Sequence, residues 1–250
     1  MSRASLVRLA VVAGFLLFLE LLTRTGAIDR LVLIPPSEMA VHLWSMFRSG
    51  ALDAAMAESF SNIAIAFLLS VTLGFAAGLI IHALPRLRRL VDPLLASYYA
   101  VPFFVFYPLL IAIFGLNRWP LIAIGFAFGA AAMVIATLNG LDRVPRVLRK
   151  VARVHRLGRG EEIFLVILPA ASPHLFTGLK LALAYSFIGV LAGEFILSGG
   201  GLGYSIAYAY DAFDNQTMYA LMLFVLTLAV VLNAALHLWE QRLLRRRRRA

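Results

Sequence analysis

Apolar positions along the chain gather into six stretches, at about 6–22, 59–83, 94–115, 119–140, 174–198 and 217–240, each bounded by polar or basic gaps. A bilayer core about 30 Å thick takes roughly 20 residues of helix to cross, so length and pattern predict six transmembrane helices. The first stretch follows Arg3 and Arg8 as a signal peptide would, but Thr23-Arg-Thr-Gly-Ala27 offers no small-x-small cleavage site, and the stretch reads as a helix. The organisation is then an N-terminal helix with an interfacial segment over 1–58, a core of five spans over 59–240, and a basic tail over 241–250. Between the first two spans, Leu33-Ile-Pro-Pro-Ser-Glu38 reads as extended chain stopped by a helix start, with Ser37 as the expected N-cap. The helix it opens would turn Met39, Leu43, Met46 and Phe47 to one side.

The longest polar interruption, 142–173, divides in two. From Val144 to Leu157 the residues Val144, Val147, Leu148, Val151, Val154 and Leu157 follow helical spacing, while Arg146, Arg149, Lys150, Arg153 and Arg156 take the other faces. This predicts a basic amphipathic helix, which anionic lipid alone could hold against a membrane surface. Gly158-Arg-Gly160 then breaks the helix, a short segment resumes over Glu161 to Leu168, and Pro169 and Pro173 are expected to fix a turn into the fifth span. Lipid binding alone does not call for that second piece.

Composition agrees with the pattern: 62% hydrophobic residues, a mean hydropathy of +0.87 and 14% charge describe an integral membrane protein. The net charge of +10 could suggest nucleic acid, but the arginines sit in the gaps between spans without aromatic interleaving or a binding fingerprint. They serve topology instead. With the N-terminus inside, the inner segments hold eighteen Lys and Arg and the outer loops four, namely Arg24, Arg30, Arg48 and Arg118. That excess predicts cytoplasmic termini and a cytoplasmic basic loop. The chain has no cysteine, and its five histidines are scattered without ligand spacing, so disulfides and metal chemistry are not expected.

Several motifs carry a resemblance. Leu157-Gly158, Ile167-Leu168-Pro169, Gly178-Leu179-Lys180, Leu191-Ala-Gly-Glu194 and Gly200-Gly-Leu-Gly-Tyr204 resemble the permease subunit of binding-protein-dependent ATP-binding-cassette importers, in the nitrate, sulfonate and taurine branch. Pro35-Pro36-Ser37-Glu38, Gly74-Phe75, and Pro102 and Pro108 ahead of Phe114-Gly115 extend the resemblance over most of the chain. It implies an all-α type I importer-like bundle of six helices in a bacterial inner membrane, with a cytoplasmic coupling helix. It further implies two separate ATPase subunits that bind ATP and Mg, a second permease copy or relative, and a periplasmic or lipid-anchored solute-binding protein. No cofactor is expected on this chain, since neither Lys150 nor Lys180 follows a glycine and no Gly-x-x-x-x-Gly-Lys-Ser/Thr phosphate loop exists.

In that family the coupling segment carries Glu-Ala-Ala, three residues, then Gly, and later Ile-x-Leu-Pro. Here the Glu-Ala-Ala positions hold Ala152, Arg153 and Val154, and Pro169 falls about two residues closer to Gly158 than usual. The resemblance assigns ATPase coupling to Arg153, Val154, Leu157, Gly158, Arg159, Gly160, Glu161 and Pro169. Within the spans, Tyr99, Pro102, Ser186 and Glu194 are candidates for a pathway or gate, and Gly200, Gly201 and Gly203 form an expected outer turn. An ionisable group at membrane depth is a functional candidate by default. Glu194 has a second reading, in which its carboxylate accepts backbone amides of the Gly199–Gly203 turn, and this is preferred because a carboxylate would repel an anionic solute. Lys180 is expected to snorkel toward the headgroups. Ser97, Tyr98, Asn139, Tyr185 and Asn233 could face a pathway or hydrogen-bond between helices.

Three kinds of function are compatible with an apolar chain of this pattern. A permease subunit without enzymatic activity leads. A self-sufficient secondary transporter or channel would call for an internal repeat, and none is evident. A membrane-embedded enzyme would call for clustered His, Asp or Glu at depth, and Glu194 stands nearly alone.

Overall fold

The computed structural model describes residues 3–197 and 199–247, without the side chains of 3–6, 8, 9, 99, 159, 197 and 242–247. In order, the helices are α1 (Arg3–Arg24), α2 (Pro36–Ser49), α3 (Asp53–Ala83), α4 (Pro85–Ser97), α5 (Tyr107–Phe114), α6 (Trp119–Asp142), α7 (Arg146–Val154), a single turn α8 (Arg159–Glu161), α9 (Leu168–Leu197), α10 (Gly201–Asp211) and α11 (Asn215–Arg247). Among the described residues, four helical runs are long and apolar enough to cross a membrane: Asp53–Ala83, Trp119–Asp142, Glu162–Asp211 and Asn215–Gln241. The first expected span forms α1. The third does not form one helix: α4 ends at Ser97, two 3-10 turns cover Tyr98–Ala100 and Phe103–Phe106, and α5 is only eight residues long. Pro102 has no N–H to give a helical ladder and forces Val101 into extended backbone at ψ 119°, which explains the interruption.

The chain divides into two compact units, one of Met1–Glu58 and Glu194–Val230, the other of Ser59–Gly193 and Val231–Ala250. In the larger unit α3, α6 and α9 pack along small residues. A Cβ on Gly74 would lie 2.9 Å from the Ala130 carbonyl, one on Gly78 would lie 2.7 Å from Thr137 Cβ, and one on Gly178 would lie 2.5 Å from Ala136 Cβ. Close backbone approach is what drives association where lipid removes the hydrophobic term. Around that seam, Ile81, Val134 and Leu138 gather Leu87, Val91 and Leu95 of α4, while Tyr107, Leu121 and Ile124 gather Phe104 and Phe128. Leu141, Val144 and Ala171 close the far end.

In the smaller unit Glu20, in the last turns of α1, reaches the start of α2. Its carboxylate accepts the Ser37 amide at 3.0 Å, the Ser37 hydroxyl at 2.6 Å and Arg24 Nε at 2.6 Å. Ser37 is therefore not the N-cap: Pro35 holds that position with Pro36 behind it, and the Ser37 N–H that a local cap would serve is taken by Glu20. Of the apolar side expected for α2, Met39 is buried, while Phe47 is exposed and meets Phe224 edge-on at 5.2 Å. Gly50, at φ 72°, ends α2 by donating its N–H to the carbonyls of Met46 and Phe47. Asn215 and Tyr219, on the first turns of α11, donate to the carbonyls of Leu31 and Val32, so the 25–35 segment is tied down at its middle.

Candidate functional site

The segment between α6 and α9 starts from an anchored base. Asp142, at the end of α6, takes two hydrogen bonds from Arg88 of α4, at 2.7 and 2.5 Å, with His82 Nδ1 at 3.3 Å. The Arg88 guanidinium holds the Asp142 carboxyl below the usual carboxylate range. From that base the chain turns through Val144 and Pro145 into α7. Val144 and Ala152 are buried, whereas Val147, Val151 and Val154 are exposed, at 67%, 46% and 79%. The apolar stripe expected from the spacing is real as a stripe, but the protein buries only Val144 of it and half-buries Leu157, and the small Ala152 is what packs inward.

After α7, Arg156 adopts φ 53°, a left-handed backbone for a non-glycine residue, and Leu157 N–H returns to the Ala152 carbonyl at 3.0 Å. Gly158 donates its N–H to the Glu161 carboxylate at 2.8 Å, and its own carbonyl accepts from Glu162 N–H at 2.9 Å, which starts the next helix. A Cβ on Gly158 would meet only Glu161 Oε2, at 3.6 Å, and one on Gly160 would meet nothing within 4 Å. Neither has a positive φ. The fold of this chain does not itself demand a glycine at either position.

Pro169 and Pro173 do not make the expected turn. Residues Glu162–Ile167 form a π-helix that runs directly into α9, with Pro173 inside it. Pro169 has no N–H for an i−4 bond and its ring crowds the carbonyl four residues back, while Leu168 N–H bonds to the Ile163 carbonyl in the wider i−5 register. The π segment leaves Phe164 and Leu165 exposed, at 71% and 65%. Of the residues expected to couple, Arg153, Val154, Gly158, Gly160 and Glu161 are exposed and share this one loop, and the Arg159 side chain lies outside the described ones. The Lys180 Nζ pairs with Glu240 on α11 at 2.6 Å.

In the smaller unit Glu194 is fully buried and its Oε2 accepts the Gly203 N–H at 3.1 Å. Gly201 has φ 92°, and a Cβ there would fall on the Glu194 carboxylate, while one on Gly200 would fall on that of Glu58. Two carboxylates thus line the start of α10, where the helix dipole and free amides favour negative charge. This matches the turn-holding reading of Glu194. Glu58 was not foreseen.

The remaining pathway candidates separate. Pro102 sits in the break of the third span, where the Tyr98 hydroxyl donates to the Ala127 carbonyl and the Phe103 ring lies 5.2 Å from Phe128. The Tyr99 side chain lies outside the described ones. Ser186 is fully buried, donates to the Gly125 carbonyl at 3.2 Å and lies 3.4 Å from Ser70 Oγ. A Cβ on Gly129 would be 2.6 Å from both hydroxyls, so these serines fill the space that the glycine leaves. Asn62 on α3 was also missed. It is fully buried and neither amide atom has a hydrogen-bond partner, an arrangement that costs about 1–3 kcal/mol. An Asn inside an apolar run was the available signal. Among the described residues no group of three or more His, Cys, Asp or Glu could hold a metal ion.

Comparison with known proteins follows this geometry. The chain is 28% identical to the nitrate import permease protein NrtB of Leptolyngbya laminosa over 208 residues, covering 80% of this chain and 75% of that one. It is 29% identical to the putative aliphatic sulfonates transport permease protein SsuC of Bacillus subtilis over 223 residues, covering 88% and 80%. A chain of the MetNI methionine ABC transporter in inward-facing conformations superposes with a TM-score of 0.66 at 17% identity, over 77% of this chain and 95% of that one, and shares the fold. The family profile described as binding-protein-dependent transport system inner membrane component matches residues 70–249, from the middle of α3 through the loop, α9 and α11, and the chain belongs to that family.

Proposed function

We propose that this chain is the membrane subunit of an ATP-driven importer for a small oxyanion of the nitrate or sulfonate type, with both termini and the 142–173 loop on the cytoplasmic side. ATP hydrolysis takes place on two separate subunits. A second permease copy or relative completes the pathway, and a binding protein outside the membrane delivers the solute. The substrate class is taken from the relatives, a nitrate import permease and an aliphatic sulfonates permease.

The observation that carries the coupling role is the freedom around Gly158. Its backbone conformation suits any residue and its surroundings have room for a side chain, so a bulky residue there changes what the loop can dock against without disturbing the loop's own fold. Exposed Val151, Val154, Phe164 and Leu165 flank it with apolar surface suited to a protein cleft. ATP-driven closure of the ATPase subunits then pushes on this loop, and the Arg88–Asp142 tie and the Leu141, Val144, Ala171 cluster pass the push to α4, α6 and α9.

The test is Gly158→Trp in the complex with its ATPase. Insertion and thermal midpoint stay as in the parent, while uptake and solute-stimulated ATP hydrolysis fall at least tenfold. Unchanged uptake removes the coupling assignment, and ATP hydrolysis by the purified chain alone would overturn the division of labour.

A further inference from the structure

Asn62 has no visible reason to be an amide in this conformation. It is fully buried on α3 with neither its oxygen nor its nitrogen hydrogen-bonded. The buried hydroxyls of Ser70, Thr137 and Ser186 in the same unit are satisfied: Ser70 donates to the Ala66 carbonyl, Thr137 to that of Met133 and Ser186 to that of Gly125. A hydroxyl can turn back onto its own helix, but an amide with two donors and an acceptor cannot be satisfied that way.

The register places Asn62 at one end of the three-helix seam. Ala66 faces Gly125 of α6, where an added Cβ would stand 3.1 Å from Ala66 Cβ, and Ser70 faces Gly129. One turn earlier on α3, Asn62 lies at the level of Leu121 and Ile122, which are both buried. From α9, a Cβ on Gly193 would be 2.9 Å from Leu121 Cδ2 and one on Gly189 would be 2.9 Å from Gly125 Cα. The residues that the register brings to this level, Leu121 and Ile122, offer the amide no side-chain partner, and neither of its atoms is hydrogen-bonded. A leucine would fill the same volume without leaving polar atoms unpaired.

We infer that Asn62 is a solute-contacting residue of the translocation route, closed over in this conformation and exposed when the α3–α6–α9 seam opens. In that state its N–H donors bond the oxygens of the passing oxyanion and its carbonyl bonds water. The smooth glycine surfaces of α6 and α9 allow the seam to part without dragging side chains past one another. This inference rests on the permease reading above.

The chain has no cysteine, so one introduced thiol reports without background. In the reconstituted complex with its ATPase, Asn62→Cys reacts with a charged, membrane-impermeant methanethiosulfonate at least ten times faster during ATP turnover than without nucleotide, and nitrate or taurine at saturating concentration slows that reaction. Asn62→Leu keeps or raises the thermal midpoint while raising the uptake KM at least tenfold. A thiol that stays unreactive in every nucleotide state overturns the inference. So does state-dependent labelling that neither solute slows, which would indicate a site for water only, or an Asn62→Leu uptake KM equal to the parent's. Uptake and ATP hydrolysis by the parent complex are measured beside these. Their absence counts against the permease reading, whereas the labelling contrast between nucleotide states bears on Asn62 alone.

Discussion

Glu194 accepts a hydrogen bond from the backbone N–H of Gly203 at 3.1 Å while its side chain is completely buried. The carboxylate is the last ionisable group before the glycine turn, and the turn returns the chain as a helix whose first amides point at it. A buried charge is tolerated when it is paired or hydrogen-bonded, and a helix N-terminus supplies both donors and a favourable dipole. Gly201 must be glycine on two counts, its φ of 92° and the carboxylate that occupies the place of a side chain.

Glu194→Ala therefore leaves the Gly203 amide buried without an acceptor and costs about 1–3 kcal/mol. Glu194→Gln keeps one acceptor oxygen and costs less. Gly201→Ala is at least as damaging as Glu194→Ala, because it strains the backbone and displaces the carboxylate together. Thermal midpoints in detergent give the order; equal midpoints for Glu194→Ala and the parent would show that the bond carries no stability.

The Arg88–Asp142 pair gives a prediction in pH. Its folded pKa lies below the unfolded value near 3.9, so Asp142 contributes stability above that value and loses it as pH falls through the lower folded pKa. Asp142 is about a third exposed, and the contribution is under about 1 kcal/mol. A double-mutant cycle of Arg88→Ala and Asp142→Ala should show a coupling that is constant from pH 8 to 5 and is lost only as pH falls below the ordinary carboxylate range. A coupling that persists unchanged under acid would show that the Asp142 charge does not carry it.

Residues acting through local periodicity were legible, and residues acting through distant partners were not. α3, α6, α9 and α11 follow the apolar runs because each run is long and sparing of charge, and in α3, α6 and α9 small residues mark the contact face. Pro102 and Pro108 signalled a disturbance of the third span, but an isolated proline could equally have given a kink in one helix. Ser37 was misread because the local rule for a helix start ignores Glu20, seventeen residues upstream, which reaches the same amide. The π register before α9 depends on how Pro169 crowds a carbonyl already held by packing, which no spacing rule contains. Glu194 was legible because its alternatives were few: the glycine run beside it offered amides and the membrane offered nothing else.

Lys180 and Glu240 illustrate the distant case, sixty residues apart in sequence and 2.6 Å apart in space. Both side chains are largely covered, at 24% and 15% exposure, and His237 Nδ1 lies 3.7 Å from the same carboxylate. Removing one partner strands the other charge in a poorly solvated place, whereas removing both does not. Lys180→Met and Glu240→Gln should each lower the thermal midpoint more than the double variant does. The reciprocal exchange, Lys180→Glu with Glu240→Lys, should recover most of the loss. Additive single effects would mean that the two side chains act independently.

The orientation of the loop is open to the same clean chemistry. Eighteen of the basic residues fall in segments that six spans would place on one side, and four on the other. The broken third span matters here, because if 94–115 did not cross, Arg146 in the loop and Tyr204 beside the glycine turn would still be separated by the single long helix α9. The positive-inside excess then decides which of the two faces the cytoplasm. Arg146→Cys and Tyr204→Cys, each made in the cysteine-free chain, should be labelled from opposite faces: Tyr204→Cys by an impermeant maleimide added to intact cells, Arg146→Cys only after the membrane is opened. Labelling of both from outside would overturn the topology and move the coupling surface to the wrong side for any cytoplasmic ATPase.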